Sequence, residues 1–388
     1  MTEPLVEPGP PLAPARLARF SRQLMLPGFG ELAQRRLQAA RVLVVGAGGL
    51  GSAVVPALAG SGVGTIGIAD FDDVELSNLP RQLSHGVADL GRPKVDSLAE
   101  TVAASDPECR VIRHRERVTA ANLPGILDDY DVVVDGSDNF PTRYLTNDAA
   151  HLAGTPLVWG AILRFHGQLG VAWRGHGPGY RDLFPVPPAP GEVPSCELGG
   201  VLPSLCLVVG ALMATEVVKL VTGLGDPLLG RVLSYDALTA RTREIAYTAI
   251  AGADEITDLI DYERFCGLDD PSEADASTGD LLAAPAPISA ADLLARLRAD
   301  EPLRLIDVRE PSEAALTSID GSSLLPLGEL LGGAELPPGD GPIVVYCEVG
   351  IRSQRAAREL ARRGYAEVAS LDGGIQRFAG VAADLVTR

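Results

Sequence analysis

The chain has 388 residues, 46% of them hydrophobic, and a formal net charge of −18. At about 100–200 residues per domain this length predicts two or three domains. The acidic balance argues against a nucleic-acid binder, which would carry a basic patch, and against an anionic membrane surface as a partner.

The start, "MTEPLVEPGPPLAP", is acidic and proline-rich. It reads as a flexible arm over 1–14, with no apolar core of the kind a signal peptide needs. "LARFSRQLMLPGFGELAQRRLQAA" reads as mostly helical, interrupted at Pro27-Gly28. "RVLVV" is a continuous apolar run of the kind buried in a parallel sheet. The loop "GAGGLG" follows, then a helix over "SAVVPALAGSG" and a strand over "TIGIAD". "DPECRVIRHRERV" and "YDVVVDGSDN" supply further strands. Strands alternating with helices predict a doubly wound, Rossmann-like α/β domain.

From Arg174 to Pro203 the chain is rich in Pro and Gly and reads as a long irregular crossing loop. "SLCLVVGALMATEVVKLVTG" reads as a buried helix stopped by Gly223. No uninterrupted run of about 18 apolar residues appears, so no membrane span is expected. Residues 250–285 are acidic and read as a linker. A smaller α/β unit begins near Ile288, with a serine-capped helix at "SAADLLARLRAD", strands at "LRLIDVRE", "PIVVYCEVG" and "VASLDGG", and a helix at "RSQRAARELARRG". Five scattered cysteines suit free thiols in a reducing cytoplasm.

Gly46, Gly48 and Gly51 have the G-x-G-x-x-G spacing, with Gly49 between them. Such a loop brings backbone N–H groups to a phosphate at a helix N-terminus. Asp70 ends the next strand, where a carboxylate accepts ribose hydroxyls. A nicotinamide oxidoreductase would look the same so far. Asn78, Arg81 and Gln82 in "DFDDVELSNLPRQ", Lys94 in "GRPKVDS" and Asp138 in "DGSDN" shift the balance. Two cations and a carboxylate around one loop suit ATP with Mg²⁺, which hydride transfer does not require.

"RFSRQLMLPGFG", "VGAGGLGS", "DFDDVELSNLPRQ", "GSDNFPTRYLTNDA", "CELGGVL" and "ATEVVKLVTGLGDPLLGRVLSYDAL" resemble the ubiquitin-activating-like adenylyltransferases, closest to those serving molybdopterin synthase and related sulfur-carrier pathways. The resemblance covers about 18–248. It implies that a small sulfur-carrier protein ending in Gly-Gly is joined to AMP through its terminal carboxylate. Asp70 would then hold the ribose, and Arg81 and Lys94 would neutralise the phosphates, with Asn78 and Gln82 nearby. Asp138 would hold Mg²⁺. Arg22 matches the arginine that reaches into the partner protomer's site, which implies a homodimer. Cys196, in "VPSCELGGVL", matches a family cysteine and could form a thioester or acyl disulfide; a thiol with no role is an equal reading. Many relatives bind structural zinc through two C-x-x-C pairs. The matching positions here are Gly179, Asp182, Glu263 and Cys266, a poor set for a closed zinc site, so no zinc is expected. Cys109 and Cys206 read as packing residues.

In "YCEVGIRS", Cys347 follows an apolar strand, and Gly350, Arg352 and Ser353 lead into a helix. Consecutive N–H groups and a helix N-terminus favour a thiolate or a persulfide. This stretch, "LIDVREPSEA" and "SLDGGIQRF" resemble a rhodanese over about 288–380. The departure is "LTSIDGSSLL" in place of the family's histidine-bearing segment. Four residues lie between Cys347 and Arg352, a loop that suits sulfur better than phosphate. The expected layout is an arm over 1–14, an adenylyltransferase domain over 15–249, a linker over 250–285 and a rhodanese domain over 286–388. The expected activity is ATP-dependent adenylation followed by sulfur transfer from a Cys347 persulfide, loaded by thiosulfate or a cysteine desulfurase. The alternatives are an adenylyltransferase with an inactive rhodanese-like docking domain, a nicotinamide oxidoreductase and a non-catalytic carrier scaffold.

Overall fold

A computed structural model describes residues 3–188, 199–250, 255–266, 287–309, 311–315, 317–348 and 350–387. The chain forms two compact units, Met1–Asp269 and Asp270–Arg388.

In the first unit α1 (Pro14–Arg19), α2 (Ser21–Leu24) and α3 (Gly30–Ala39) precede β1 (Arg41–Val45), α4 (Gly51–Ser61) and β2 (Thr65–Ala69). Then come α5 (Lys94–Ser105), β3 (Arg110–His114), α6 (Leu123–Leu127), β4 (Val132–Asp135), α7 (Phe140–Ala153), β5 (Leu157–Leu163) and β6 (His166–Ala172). The unit continues with α8 (Tyr180–Leu183), α9 (Pro203–Thr222), β7 (Arg231–Asp236), β8 (Arg241–Ala246) and α10 (Tyr262–Phe265). The eight strands run in the order β3-β2-β1-β4-β5-β6-β7-β8. The first five are parallel, and β6, β7 and β8 are antiparallel. The run "RVLVV" is explained by burial on both faces. Val42 and Val44 pack with α3, α4 and α9, while Leu43 and Val45 pack with α6 and α7. Pro203 opens α9 and a left-handed Gly223 closes it. This helix is long and apolar enough to cross a membrane. Its Leu205, Val209, Met213 and Val217 are instead fully buried in the core beneath the sheet.

Two boundaries differ from the sequence reading. The expected arm is tied down: Val6 and Leu12 are buried, the Leu5 N–H donates to the Leu220 carbonyl, and Arg35 donates to the Gly9 carbonyl. Val6 joins the core that α3 and α9 share, and the Leu12 N–H donates to Glu31 on α3 at 3.3 Å. The expected linker is also shorter. Tyr262 and Cys266 are buried in the core of the first unit, so 255–266 belong to it. Its remainder, 251–254 and 267–285, lies outside the described residues.

The second unit contains β9 (Pro287–Ile288), α11 (Ala290–Arg298), β10 (Arg304–Asp307), α12 (Pro311–Ala314), β11 (Ser318–Ile319), β12 (Ser323–Leu324) and α13 (Leu327–Leu331). It ends with β13 (Ile343–Tyr346), α14 (Ile351–Arg362), β14 (Val368–Leu371), α15 (Gly374–Val381) and β15 (Val386–Thr387). A five-stranded parallel sheet has the order β12-β10-β13-β14-β9. Ser289 caps α11 by accepting the Asp292 N–H at 3.1 Å. Alternation along β13 sends Val344 and Tyr346 to one core, and Val345 and Cys347 to the other. The histidine-free segment is held by Tyr346, whose hydroxyl accepts the Ile319 N–H at 3.1 Å and lies 2.8 Å from Ser322 Oγ.

Candidate active sites

The strand order reverses direction of growth between β1 and β4, which opens a crevice at the carboxyl ends of the strands. The glycine loop leaves β1 there, beside the loop after β4. A Cβ on Gly46 would come within 3.0 Å of Gly136 backbone, and one on Gly51 within 1.9 Å of the Gly46 carbonyl oxygen. Only bare backbone permits this close turn.

Side chains from other strand ends converge on this loop. Asp70, at the end of β2, accepts the Ala47 N–H at 2.7 Å on one oxygen and the Asp72 N–H at 2.8 Å on the other. Burial raises its pKa above the ordinary carboxylate range, with Lys94 and the two amides opposing that rise. Gln82 is buried, and the position a Gly48 Cβ would occupy lies 3.7 Å from its Nε2. Its Oε1 is buried without a hydrogen-bond partner, an orphaned polar atom beside the glycine loop that suits a bound ligand. Asn78 is buried too, and its Oδ1 accepts the Glu75 N–H at 3.2 Å.

Lys94 sits at the start of α5 with its ammonium 2.9 Å from the Asp72 carboxylate. The half-buried Arg81 donates to the Ser77 carbonyl at 2.8 Å. Asp138 is exposed in the loop after β4. The structure thus gathers Gly46, Gly48, Gly49, Gly51, Asp70, Gln82, Lys94 and Asp138 around the carboxyl ends of β1, β2 and β4. Arg22 is exposed on α2, and among the described residues no hydrogen bond or ion pair engages it. Cys196 lies outside the described residues.

Sequence reasoning missed three supports of this site. Asp72 holds Lys94. His85 is buried beneath the loop, 2.8 Å from Ser97 Oγ and 3.3 Å from the Ala47 carbonyl; burial lowers its pKa. With Asp70 on the N–H and His85 on the C=O of Ala47, two side chains fix one loop residue. Asp135 is fully buried at the end of β4 and accepts the Ser137 N–H at 2.9 Å and hydroxyl at 2.6 Å. The acid ending the run "VVVD" was the available signal for Asp135. A lone histidine carries none.

In the second unit Cys347 stands at the end of β13, 1% exposed. The Gly350 N–H donates to its Sγ at 3.1 Å. Gly350 has φ +105°, a left-handed conformation that turns the amide inward. Ser353 anchors the loop through the Gly350 carbonyl at 2.9 Å and Ser370 Oγ at 2.8 Å. Arg352, in the first turn of α14, is bound on both terminal nitrogens by Glu313 at 2.7 and 2.6 Å. Arg309 is buried and bound by Asp307 and Glu348.

The positions matching the relatives' zinc ligands are otherwise engaged. Asp182 accepts the Gly179 N–H at 2.7 Å and the Ile250 N–H at 2.8 Å, one on each oxygen. Glu263 is exposed and 3.4 Å from Arg117. Cys266 is buried, and burial pushes its thiol up to about 11. A closed structural zinc site takes four ligands, nearly always Cys or His; a glycine, two carboxylates and one thiol with a raised pKa fit it poorly. What ties the two segments together is Asp148 on α7. Its buried carboxylate accepts from Arg181 at 2.9 and 2.6 Å and from the Tyr262 hydroxyl at 2.7 Å.

A glycine-loop crevice at a sheet switch point, with a second α/β unit carrying a thiol in an amide-lined loop, defines a nucleotide-dependent enzyme class with an appended sulfur-handling domain. Comparisons with known proteins agree. Residues 20–251 match the ThiF family and residues 289–380 the rhodanese-like domain. The chain therefore belongs to the ThiF family and carries a C-terminal rhodanese-like domain. It is 46% identical over 382 residues to a probable adenylyltransferase/sulfurtransferase MoeZ of Mycobacterium tuberculosis, covering 97% of this chain and 96% of that protein. It is 40% identical to the adenylyltransferase and sulfurtransferase MOCS3 of Drosophila grimshawi, covering 89% of this chain and 79% of that protein. A sulfur carrier protein adenylyltransferase of Thermus thermophilus is 48% identical, covering 65% of this chain and 97% of that protein. Among solved structures, E. coli MccB with MccA-N7isoASN has a TM-score of 0.55 at 21% identity, over 61% of this chain and 74% of that one; it supports the fold alone.

Proposed function

We propose that this chain adenylates the C-terminal Gly-Gly carboxylate of a small sulfur-carrier protein and then converts it to a thiocarboxylate. The observation that carries this reading is the near full-length match to relatives named adenylyltransferase/sulfurtransferase. The orphaned Gln82 Oε1 beside the glycine loop and the Gly350 amide on Cys347 Sγ support it.

A carboxylate resists nucleophiles until its oxygen becomes a good leaving group. In the first step the carrier carboxylate attacks the α-phosphate of ATP, forming the acyl-adenylate and expelling pyrophosphate. The glycine-loop amides hold phosphate oxygens, Asp70 the ribose, and Gln82 and Asn78 polar groups of the nucleotide. Arg81 and Lys94 offset phosphate charge, with Lys94 passing from Asp72 toward the phosphates. Asp138, an exposed carboxylate in the loop after β4, would hold Mg²⁺, and the ion would screen the charge of the triphosphate. In the second step the Cys347 persulfide attacks the acyl carbon. A carbon–sulfur bond forms, the bond to AMP breaks, and AMP leaves. A thiol reductant then cleaves the acyl disulfide and releases the thiocarboxylate. Cys196 is a second acceptor for the acyl group. The protein acts as a homodimer in the cytoplasm, with Arg22 reaching the partner protomer's site; the exposed Met25, Leu26 and Leu32 near it support a protein neighbour there. The MOCS3 relatives favour molybdenum cofactor biosynthesis as the setting.

The test is to incubate the protein with ATP, Mg²⁺, a sulfur donor, a reductant and Gly-Gly carriers, and to weigh each carrier. Replacement of one oxygen by sulfur is the expected result. AMP adducts without sulfur would reduce the second unit to a docking module, and no change on any carrier would overturn the reading.

A further inference from the structure

A rhodanese-type loop that takes sulfur from thiosulfate must attract a dianion. The cations around Cys347 are poorly placed to do so. Arg352, next to the thiol in the loop, is gripped on both terminal nitrogens by Glu313 at 2.7 and 2.6 Å. It lies within electrostatic reach of Cys347 and Arg309. Arg309 is bound by Asp307 at 2.8 Å through Nη2 and by Glu348 at 2.8 Å through Nη1. Glu348 directly follows the nucleophile. Among the described residues, the ion pairs of these two guanidiniums are with three carboxylates, beside a thiol that must itself react as an anion. Arg355 and Arg358, further along α14, are exposed to solvent.

We propose that Glu313 is a specificity-determining residue for the sulfur donor. By occupying Arg352 it sets the loop against the thiosulfate dianion and in favour of a hydropersulfide, which carries at most one negative charge. This rests on the reading of Cys347 as the sulfur-accepting nucleophile. With the favoured donor, the Cys347 thiolate attacks the outer sulfur of R–S–SH. The new S–S bond forms at Cys347, the old one breaks, and RS⁻ leaves with the electron pair, so the enzyme carries Cys–S–SH. With thiosulfate the same attack gives Cys–S–S⁻ and expels sulfite, which retains both negative charges. The bonds made and broken correspond; the difference is the charge that must enter the loop.

The experiment charges the full-length protein anaerobically with thiosulfate or with the hydropersulfide of 2-mercaptoethanol, and follows the gain of one sulfur atom by intact mass. Wild type, Glu313→Gln, Glu313→Asp and Cys347→Ala are compared. The hydropersulfide is expected to load wild type faster. Glu313→Gln should raise the thiosulfate-to-hydropersulfide rate ratio about tenfold, through half-saturation and not maximal rate, since it restores one unscreened positive charge near the thiol. Added salt should shrink that gain, and Glu313→Asp should restore the wild-type ratio. An unchanged ratio in Glu313→Gln, or thiosulfate loading wild type as fast as the hydropersulfide, would overturn the proposal and leave the sulfurtransferase reading intact. Equal sulfur gain in Cys347→Ala would sink that reading, and this inference with it.

Discussion

The two units use the same local device for different ends. In each, a parallel strand runs into a glycine-bearing loop that opens a helix: β1 to α4 in one, β13 to α14 in the other. The loop over 46–51 carries no polar side chain of its own. The side chains proposed for its chemistry come from outside it: Asp70 and Asp138 from the ends of β2 and β4, Gln82 from the segment after β2, and Lys94 from the start of α5. The loop over 347–353 keeps its thiol within itself, with its own Gly350 amide donating to Sγ at 3.1 Å. A triphosphate is large and needs contacts along its length, so the first loop recruits a surround. A sulfur atom is small, so on the proposed reading the second loop is nearly self-sufficient, with Glu313 on Arg352 proposed to tune which donor approaches.

The strongest way to break this comparison is to remove one loop's function and ask whether the other survives. Cys347→Ala should abolish thiocarboxylate while carrier–AMP formation, read by intact mass, continues. If thiocarboxylate appears at the wild-type rate, the division of labour is wrong. Gly51→Ala should do the converse. Its Cβ would lie 1.9 Å from the Gly46 carbonyl, so ATP–pyrophosphate exchange should vanish while Cys347 still accepts sulfur. A smaller effect is expected where a surround residue is lost: Asp138→Ala should slow exchange by roughly a hundredfold, with partial recovery at high Mg²⁺. Normal exchange would remove the assignment of Mg²⁺ to Asp138.

Two changes away from the loops sharpen the contrast in how each unit is held. Asp148→Asn should cost about 2–4 kcal/mol, because it leaves a half-buried Arg181 without its anion. The melting temperature of the first unit would fall, whereas treating the wild type with a zinc chelator should not shift it. A chelator-induced shift would show that the Asp148 clasp is not the tie. The smallest effect is alkaline. Burial pushes Cys109 and Cys266 up to about 11 from an ordinary 9.0. The folded state holds these protons more tightly than the unfolded chain. Their contribution is therefore complete below pH 9 and is lost as the pH rises toward 11. Cys266→Ala should flatten the fall of the melting temperature across that window, whatever it does to the absolute value.

The sequence by itself determined the fold class, the two loops and most of the groups around them. Apolar runs such as "RVLVV" must be buried on both faces, and glycines at fixed spacing leave one loop geometry available. Those signals are local and survive without tertiary knowledge. What only the tertiary structure decided are pairings between distant residues: His85 under Ala47, Asp148 with Arg181 and Tyr262, and Glu313 on Arg352. The same holds for the packing of the N-terminal arm and of 255–266. A charged or aromatic side chain reads in sequence as a solvated surface group until a partner tens of residues away desolvates it. Its role depends on that partner, and the partner is set by how the layers close.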